Sequence, residues 1–192
     1  MHTNRHFSVR PATEADITPV VTLFGDVAAE GRWIGTEPGF DAAERAQRMT
    51  DTVSRGPGIM LVADAGGEVI GSLSLIPASY GTADLGMMVA QEWRGKGVGR
   101  ALLEAGIEWA RTEPEVHKIA LQHWPHNRAA HRLYLALGFQ VEGRLRRHYR
   151  RSHGEVWDAI VMGLVVDDSA PPSSILDDLD DLDDPDVNRG RD

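Results

Sequence analysis

Residues 91–104 (QEWRGKGVGRALLE) place three glycines and three cations within the seven positions from Arg94 to Arg100, directly before a helical pattern. Glycine loses more backbone freedom on folding than any other residue. The first turn of a helix exposes unpaired N–H groups and a partial positive charge, which attract anions. Because glycine has no Cβ, a bulky phosphate can approach the backbone closely. The stretch therefore predicts a turn that binds a phosphate or pyrophosphate.

This turn does not match either of two common nucleotide-binding motifs, because particular residues differ. A Walker A loop requires serine or threonine after its lysine, whereas Lys96 is followed by Gly97. A G-x-G-x-x-G dinucleotide pattern would need glycine where the chain has Arg100 or Leu102. A tight turn without a ligand would explain one glycine, but not three with cations between them. We therefore expect a different phosphate-bearing ligand.

The composition narrows the class of protein. The chain of 192 residues has no cysteine, which excludes a disulfide scaffold, a thiol nucleophile and cysteine-ligated metal sites. The N-terminus lacks the apolar segment of a signal peptide, and no apolar run approaches the roughly 20 residues that span a bilayer. These features predict a soluble cytoplasmic protein.

The net charge of −9 is concentrated at the C-terminal end. Residues 167–192 contain ten aspartates and two arginines, a net charge of −8, so residues 1–166 carry only −1. A nearly neutral body argues against general nucleic-acid binding, which depends on cations that face phosphates. We expect one domain over residues 1–166 and a disordered acidic tail over residues 167–192. Apolar residues near helical spacing in the tail would also permit a weakly docked helix (Ile175, Leu176, Leu179 and Leu182).

Hydrophobic periodicity predicts the order strand, two helices, three strands, helix, strand, helix, two strands. The extended run Thr82–Val89 is partly apolar on both faces, which favours a central position in the sheet. Asn127 is expected to open a helix that ends at Gly138. This order indicates an α/β fold in which helices cover a single mixed sheet.

Two motifs resemble those of the GNAT superfamily of acyl-CoA-dependent N-acyltransferases. Residues 94–99 (RGKGVG) match the R/Q-x-x-G-x-G/A signature, which cradles the coenzyme A pyrophosphate in that family. Residues 127–139 (NRAAHRLYLALGF) resemble its second motif, N-x-x-A-x-x-L-Y-x-x-x-G-F. Residues 142–144 and 158–162 are similar to the closing hairpin of branches that acetylate ribosomal-protein N-termini and small amines. The resemblance covers residues 6–166 and implies a GNAT-type, mainly antiparallel sheet of about seven strands with about four flanking helices.

The same resemblance implies the site residues. Those expected to bind the cofactor are Met88, Val89, Arg94, Gly95, Lys96, Gly97, Val98, Gly99, Arg100, Asn127 and Tyr134. The strands splay beside Met88 and Val89 in the family, and their N–H groups would stabilise the oxyanion. Tyr134 would protonate the leaving thiolate, although it also fits the apolar stripe of its helix as a core residue. Asn127 would serve as an N-cap with or without a contact to the cofactor. No metal is implied.

The residue that often acts as general base in the family has no counterpart in this chain. Relatives in the ribosomal branch often carry glutamate on the fifth strand, where this chain has Gln122. A glutamine is no useful proton acceptor, and a neutral amine is needed for attack because an ammonium group has a pKa near 10. The substitutes are Glu37 and Asp84, ahead of His123, His126 or a water relay. Each of these side chains also has an ordinary structural explanation.

The predicted function is transfer of an acetyl group from acetyl-CoA to a primary amine within a ternary complex. Acidic residues in and around the substrate loop would suit a cationic acceptor (Glu30, Glu37, Asp41 and Glu44). The acceptor could be a protein N-terminus, a polyamine, an aminoglycoside or an amino acid. A homodimer would match many members of the family, and no membrane partner is expected. The alternatives are a non-catalytic acyl-CoA sensor and, less favoured, a nucleic-acid-binding protein using the arginines of residues 144–151.

Overall fold

The fold is a seven-stranded sheet with helices on both faces, in a computed structural model that describes residues 6–54 and 56–169. The strands are β1 (Ser8–Pro11), β2 (Ile59–Asp64), β3 (Val69–Pro77), β4 (Thr82–Val89), β5 (Lys118–His123), β6 (Gln140–Arg150) and β7 (Val156–Val165). The helices are α1 (Ile17–Ala29), α2 (Ala42–Ser54), α3 (Val98–Thr112) and α4 (Arg128–Ala136). The predicted order of elements is confirmed.

The strands lie in the order β1-β2-β3-β4-β5-β7-β6, with β4 in the centre as its two-sided apolar pattern predicted. Every neighbouring pair is antiparallel except β4 and β5, which are parallel. The mainly antiparallel mixed sheet is therefore confirmed.

Side-chain alternation gives each face of the sheet its own core. Along β2, Leu61 and Ala63 pack with α3, whereas Met60 and Val62 pack with α1 and α2. The larger cluster on the α3 side also contains Tyr134 and includes the fully buried side chain of Leu102. The two helical layers are thus separated by one sheet, and any opening through that sheet connects them.

Such an opening lies between β4 and β5. Their parallel pairing covers only the three residues Thr82–Asp84 of β4, opposite 118–120 of β5. From Leu85 onward, β4 has no β5 partner and remains paired with β3 alone. The expected splay of the two central strands is confirmed.

Local capping groups position the helices around this opening. Asn127 accepts a hydrogen bond from the N–H of Ala130 at 3.2 Å and so begins α4, and Gly138 ends it with a φ of 93°. Asp41 accepts from the N–H of Glu44 at 2.9 Å at the start of α2. No helix within the described residues has the length and apolar content to cross a bilayer. The predicted tail helix lies outside the described residues, as does the tail from position 170 onward.

Candidate active site

The glycine-rich turn forms an open cradle at the start of α3. Gly95 and Gly97 have φ values of 72° and 87°, which side-chain-bearing residues rarely adopt. A Cβ at either position would meet no protein atom within 4 Å, so the space in front of the turn is free. The N–H groups of residues 95–100 donate to no described residue. This arrangement of free amides and open space fits a diphosphate.

A cavity of about 1140 Å³ extends from this turn through the opening between β4 and β5 to the layer of α1 and α2. Most of the predicted cofactor residues line it, namely Met88, Val89, Arg94, Gly95, Gly97, Gly99, Arg100, Asn127 and Tyr134. Lys96 and Val98 do not. The Val98 side chain belongs to the core, and the Lys96 ammonium lies 5.7 Å from the Trp93 ring.

Arg94 has a different role from the free cation that the sequence suggested. Its guanidinium forms a bidentate pair with Glu30 at the end of α1, with distances of 2.7 and 2.5 Å. Its Nε donates to the carbonyl oxygen of Val89 at 3.0 Å. Glu30 also accepts from the indole N–H of Trp33. The Arg94 side chain therefore joins α1 to the glycine turn, and its charge is already balanced.

The register of β3 and β4 separates the roles of Met88 and Val89. The N–H of Ala90 donates to Ile70 O at 2.9 Å, so the backbone groups of Ala90 face β3. Because these groups alternate along an antiparallel strand, Met88 also faces β3, opposite Ser72. Val89 consequently turns its N–H toward the opening. Of the two amides expected at the oxyanion, only that of Val89 is directed into the cavity.

Tyr134 is 7% exposed, and burial raises the pKa of its phenol to about 12. Its ring packs against His123 and Phe139, with centroid distances of 5.9 and 5.7 Å. Its hydroxyl makes no hydrogen bond to any described residue, although Tyr134 lines the cavity. The two roles considered from the sequence are therefore compatible, since the ring packs in the core and a protonated hydroxyl remains available.

Gln122, where the resemblance led us to expect glutamate, is engaged by the last hairpin. Its Oε1 accepts a hydrogen bond from the Tyr149 hydroxyl at 2.7 Å. Both residues line the cavity. The amide of Gln122 offers N–H donors to a bound molecule, and its oxygen is too weakly basic to accept a proton.

Neither favoured base candidate lines the cavity. Glu37 lies 3.0 Å from Arg151 Nε and accepts from the N–H of Ser152 at 3.0 Å. Hydrogen bonding by Ser152, reinforced by the Arg151 charge, lowers the pKa of Glu37. Asp84 is exposed on β4, between Ile76 and Ala120 of the neighbouring strands. The structure thus gives Glu37 a role in holding its loop and keeps Asp84 outside the cavity.

The two histidines occupy different environments. His126 is exposed and contacts the carbonyl oxygen of Arg32 at 2.7 Å. His123 lines the cavity, and burial lowers its pKa, so it is neutral at pH 7. Its Nδ1 lies 2.9 Å from Trp124 O, which makes Nδ1 the protonated nitrogen, and its Nε2 lies 3.0 Å from Nδ1 of His131.

The carboxylates around the substrate loop do not support a cationic acceptor. Glu30 is paired with Arg94, Glu37 with Arg151, and Glu44 with Arg48, while Asp41 caps α2. No aspartate or glutamate is among the described residues that line the cavity. The negative charges counted in the sequence are therefore used within the protein. The described residues also contain no group of three potential metal ligands.

Sequence reasoning missed the residues that enclose the far end of the cavity. They are Arg45, Met49 and Thr52 of α2, Ser72 and Ser74 of β3, and the aromatic residues Trp33, Trp124 and Tyr149. A helical stripe at i, i+4 and i+7 would have revealed the α2 members. The long-range contributions of β3 and the last hairpin carry no such local signal.

Comparisons with known proteins agree with this geometry. Residues 27–139 match the family model "Acetyltransferase (GNAT) family". The chain is 30% identical over 143 residues to the L-methionine sulfoximine/L-methionine sulfone acetyltransferase of Pseudomonas aeruginosa, covering 72% of this chain and 83% of that relative. It is 29% identical over 107 residues to the [ribosomal protein uS5]-alanine N-acetyltransferase of Escherichia coli, covering 54% and 55% of the two chains.

A solved structure extends the similarity to nearly the whole fold. The putative acetyltransferase yncA of Salmonella typhimurium, with its cofactor acetyl-CoA, aligns with a TM-score of 0.78 at 24% identity, covering 88% of this chain and 99% of that chain. The chain belongs to the GNAT acetyltransferase family. The expected class of enzyme, an acyltransferase with acetyl-CoA as co-substrate, is thereby confirmed.

Proposed function

We propose that this enzyme transfers an acetyl group from acetyl-CoA to the primary amine of a small molecule or a protein N-terminus, in one step within a ternary complex. One observation carries the proposal. A single cavity joins the glycine turn, the Val89 amide and the Tyr134 hydroxyl to a second chamber beneath α1 and α2. Cofactor and acceptor can therefore meet through the sheet. The absence of cysteine from the sequence agrees with direct transfer, since no thiol can carry the acetyl group.

Bound acetyl-CoA supplies the activated thioester, and the protein supplies positioning and hydrogen bonds. The free amides of residues 95–100 hold the diphosphate, and Arg100, which pairs with Glu104, lines the same cavity. The N–H of Val89 donates to the negative charge that develops on the carbonyl oxygen. Tyr134 gives its proton to the departing sulfur, because its raised pKa keeps the phenol protonated.

The amine must lose a proton without a carboxylate beside it. His123 is the only imidazole among the described lining residues, and both of its ring nitrogens have partners. We therefore place water in the role of first proton acceptor, and Glu37 and Asp84 lose their earlier preference. The amine acceptor would accordingly react better as pH rises toward its own pKa.

The substitution Tyr134→Phe tests the proposal. We expect kcat for thiol release from acetyl-CoA to fall about 100-fold, because general acid catalysis contributes on that order. Calorimetry should show coenzyme A affinity within about 3-fold of wild type, since the phenol contacts the sulfur end alone. Tyr80→Phe is the matched control, because Tyr80 is 94% exposed between β3 and β4.

Two results would contradict the proposal. Unchanged turnover in Tyr134→Phe would remove the phenol from the mechanism. Tight coenzyme A binding with no turnover across a panel of amino acids, polyamines, aminoglycosides and peptides would instead favour the sensor.

A further inference from the structure

The acceptor end of the cavity is lined by positively charged side chains. The described residues that line it include Arg45 and Arg48 from α2 and no acidic side chain. Three of the lining arginines are balanced by carboxylates outside the cavity, in the pairs Arg48–Glu44, Arg94–Glu30 and Arg100–Glu104. Arg45 is the exception within the described residues, as it has no ion-pair partner.

Arg45 is held in place although its charge is not balanced. Its guanidinium donates to the Thr36 hydroxyl at 3.2 Å and stacks on the Phe24 ring, 4.2 Å from the centroid. Both contacts leave further N–H donors of the guanidinium unused. Burial and the neighbouring Arg48 lower the pKa of Arg45. A partly buried cation of this kind is stabilised by a bound anion.

The surrounding polar groups match the same kind of ligand. Gln122 offers its amide N–H groups, which have no hydrogen-bond partner among the described residues. Ser72 and Ser74 line the cavity, and their hydroxyls have no hydrogen-bond partner among the described residues. The rest of the chamber is aromatic or apolar, with Trp33 and Trp124 as its largest walls. The chamber therefore combines hydrogen-bond donors with a surface suited to an apolar side chain.

We propose that Arg45 binds the carboxylate of the acceptor, which is therefore a small amine that carries its own carboxylate, as a free amino acid does. This inference rests on the proposed acetyl transfer and narrows its acceptor. A guanidinium matches a carboxylate through two parallel hydrogen bonds, which fixes the orientation of the ligand as well as its charge. A polyamine would bring further positive charge to Arg45 and Arg48.

The test compares free L-amino acids with their C-terminal amides, with spermidine as a third class of probe. Acetyl-CoA is the donor and released thiol is the readout. For wild type, we expect kcat/KM for the best amino acid to exceed that for its amide at least 10-fold. In Arg45→Ala, kcat/KM for the acid should fall about 10- to 100-fold, the loss typical of one charge-assisted hydrogen-bonded pair. The value for the amide should change less than about 3-fold.

Two further variants make the result specific to the charge at this position. Arg45→Lys should recover part of the lost preference, because an ammonium keeps the charge but lacks the planar fork. Gln47→Ala is the matched control on α2, where Gln47 is exposed and bonded to Asp51. Thermal unfolding and coenzyme A affinity, measured for each variant, separate recognition of the acceptor from loss of structure.

The outcomes distinguish this inference from the proposed function. Equal rates for acids and amides, preferred acetylation of spermidine, or an unchanged preference in Arg45→Ala would overturn the role of Arg45 and leave acetyl transfer intact. Failure of every amine to release thiol would overturn both.

Discussion

His123 connects the interior of the site to the pH dependence of the fold. Burial lowers its pKa in the folded state below the unperturbed value near 6.5. Between these two pKa values the unfolded chain binds the proton and the folded chain does not. Stability is therefore complete above about pH 6.5 and falls as pH decreases toward the lowered pKa.

We predict that His123→Gln flattens this part of the stability curve. Wild type should lose free energy of unfolding as pH falls below about 6.5, and the variant should lose less over the same interval. Urea unfolding at several pH values measures the difference. Carboxylates with lowered pKa values, such as Asp64, titrate at more acidic pH and so do not contribute to the change in stability over this interval. Parallel curves for the two proteins would show that His123 titrates normally.

At the residue scale, the sequence predicted the groups whose surroundings are local. Asn127 and Gly138 act through residues three or four positions away, so their capping roles follow from the motif itself. The pairing of Glu37 could not be predicted, because its partners Arg151 and Ser152 lie more than a hundred positions away. Whether a carboxylate is free or paired across such a distance depends on tertiary packing alone.

The buried Arg151 helps to hold the segment from Gly31 to Phe40. Arg151, 5% exposed, donates to Gly35 O at 2.9 Å and pairs with Glu37, although the angle at its Nε is not that of a hydrogen bond. Its guanidinium lies 4.6 Å from the centroid of the Trp157 ring. This segment contributes Trp33 and Thr36 to the acceptor chamber.

We expect Arg151→Ala to raise the acceptor KM about 10-fold, because losing the hydrogen bond to Gly35 and the ion pair with Glu37 frees the segment. The affinity for coenzyme A should stay within about 3-fold, since Arg151 contacts no residue of the glycine turn. The exposed neighbour Arg150→Ala is the control for a simple change of net charge. An equal effect of the two substitutions on acceptor KM would argue against the anchoring role.

Two glycine-to-alanine substitutions, one inside and one outside the glycine turn, test whether the turn binds coenzyme A. Gly97→Ala forces a side chain into a left-handed conformation, which costs about 1 kcal/mol of stability. Gly66→Ala imposes the same strain at a φ of 72° in the turn between β2 and β3. Both positions have no protein atom within 4 Å of a Cβ.

Only Gly97→Ala should weaken coenzyme A binding, at least 10-fold by calorimetry, because its new methyl group enters the space of the diphosphate. If Gly66→Ala weakens binding equally, the effect is one of general strain.

At the element scale, the sequence predicted the order of elements and the central place of β4, because apolar periodicity is a local signal. It could not define how far β4 and β5 remain paired. The length of that ladder depends on tertiary packing, which leaves no local signal in the sequence.

At the scale of the whole molecule, the sheet has two parts, β1–β4 and β5–β7. Three residue pairs between β4 and β5 join them. Coenzyme A bound in the opening would contact both parts. A ligand that binds only the folded state at about 100 times its Kd adds about 2.7 kcal/mol of stability. We therefore expect saturating acetyl-CoA to raise Tm by roughly 5–10 °C, measured by scanning calorimetry. Tyr134→Phe should show the same rise, and Gly97→Ala a smaller one. No rise in wild type would indicate that the cofactor does not bind in the opening.

The bidentate pair between Arg94 and Glu30 physically joins the glycine turn to the end of α1. One carboxylate fixes the turn beneath the diphosphate and, through the Trp33 indole, a wall of the acceptor chamber. A rearrangement of that turn on loading would shift the wall as well. By thermodynamic reciprocity, if the first ligand changes the affinity for the second by some factor, the second changes the affinity for the first by the same factor. The Arg94–Glu30 salt bridge is thus the physical link through which occupancy of one chamber would change the affinity of the other.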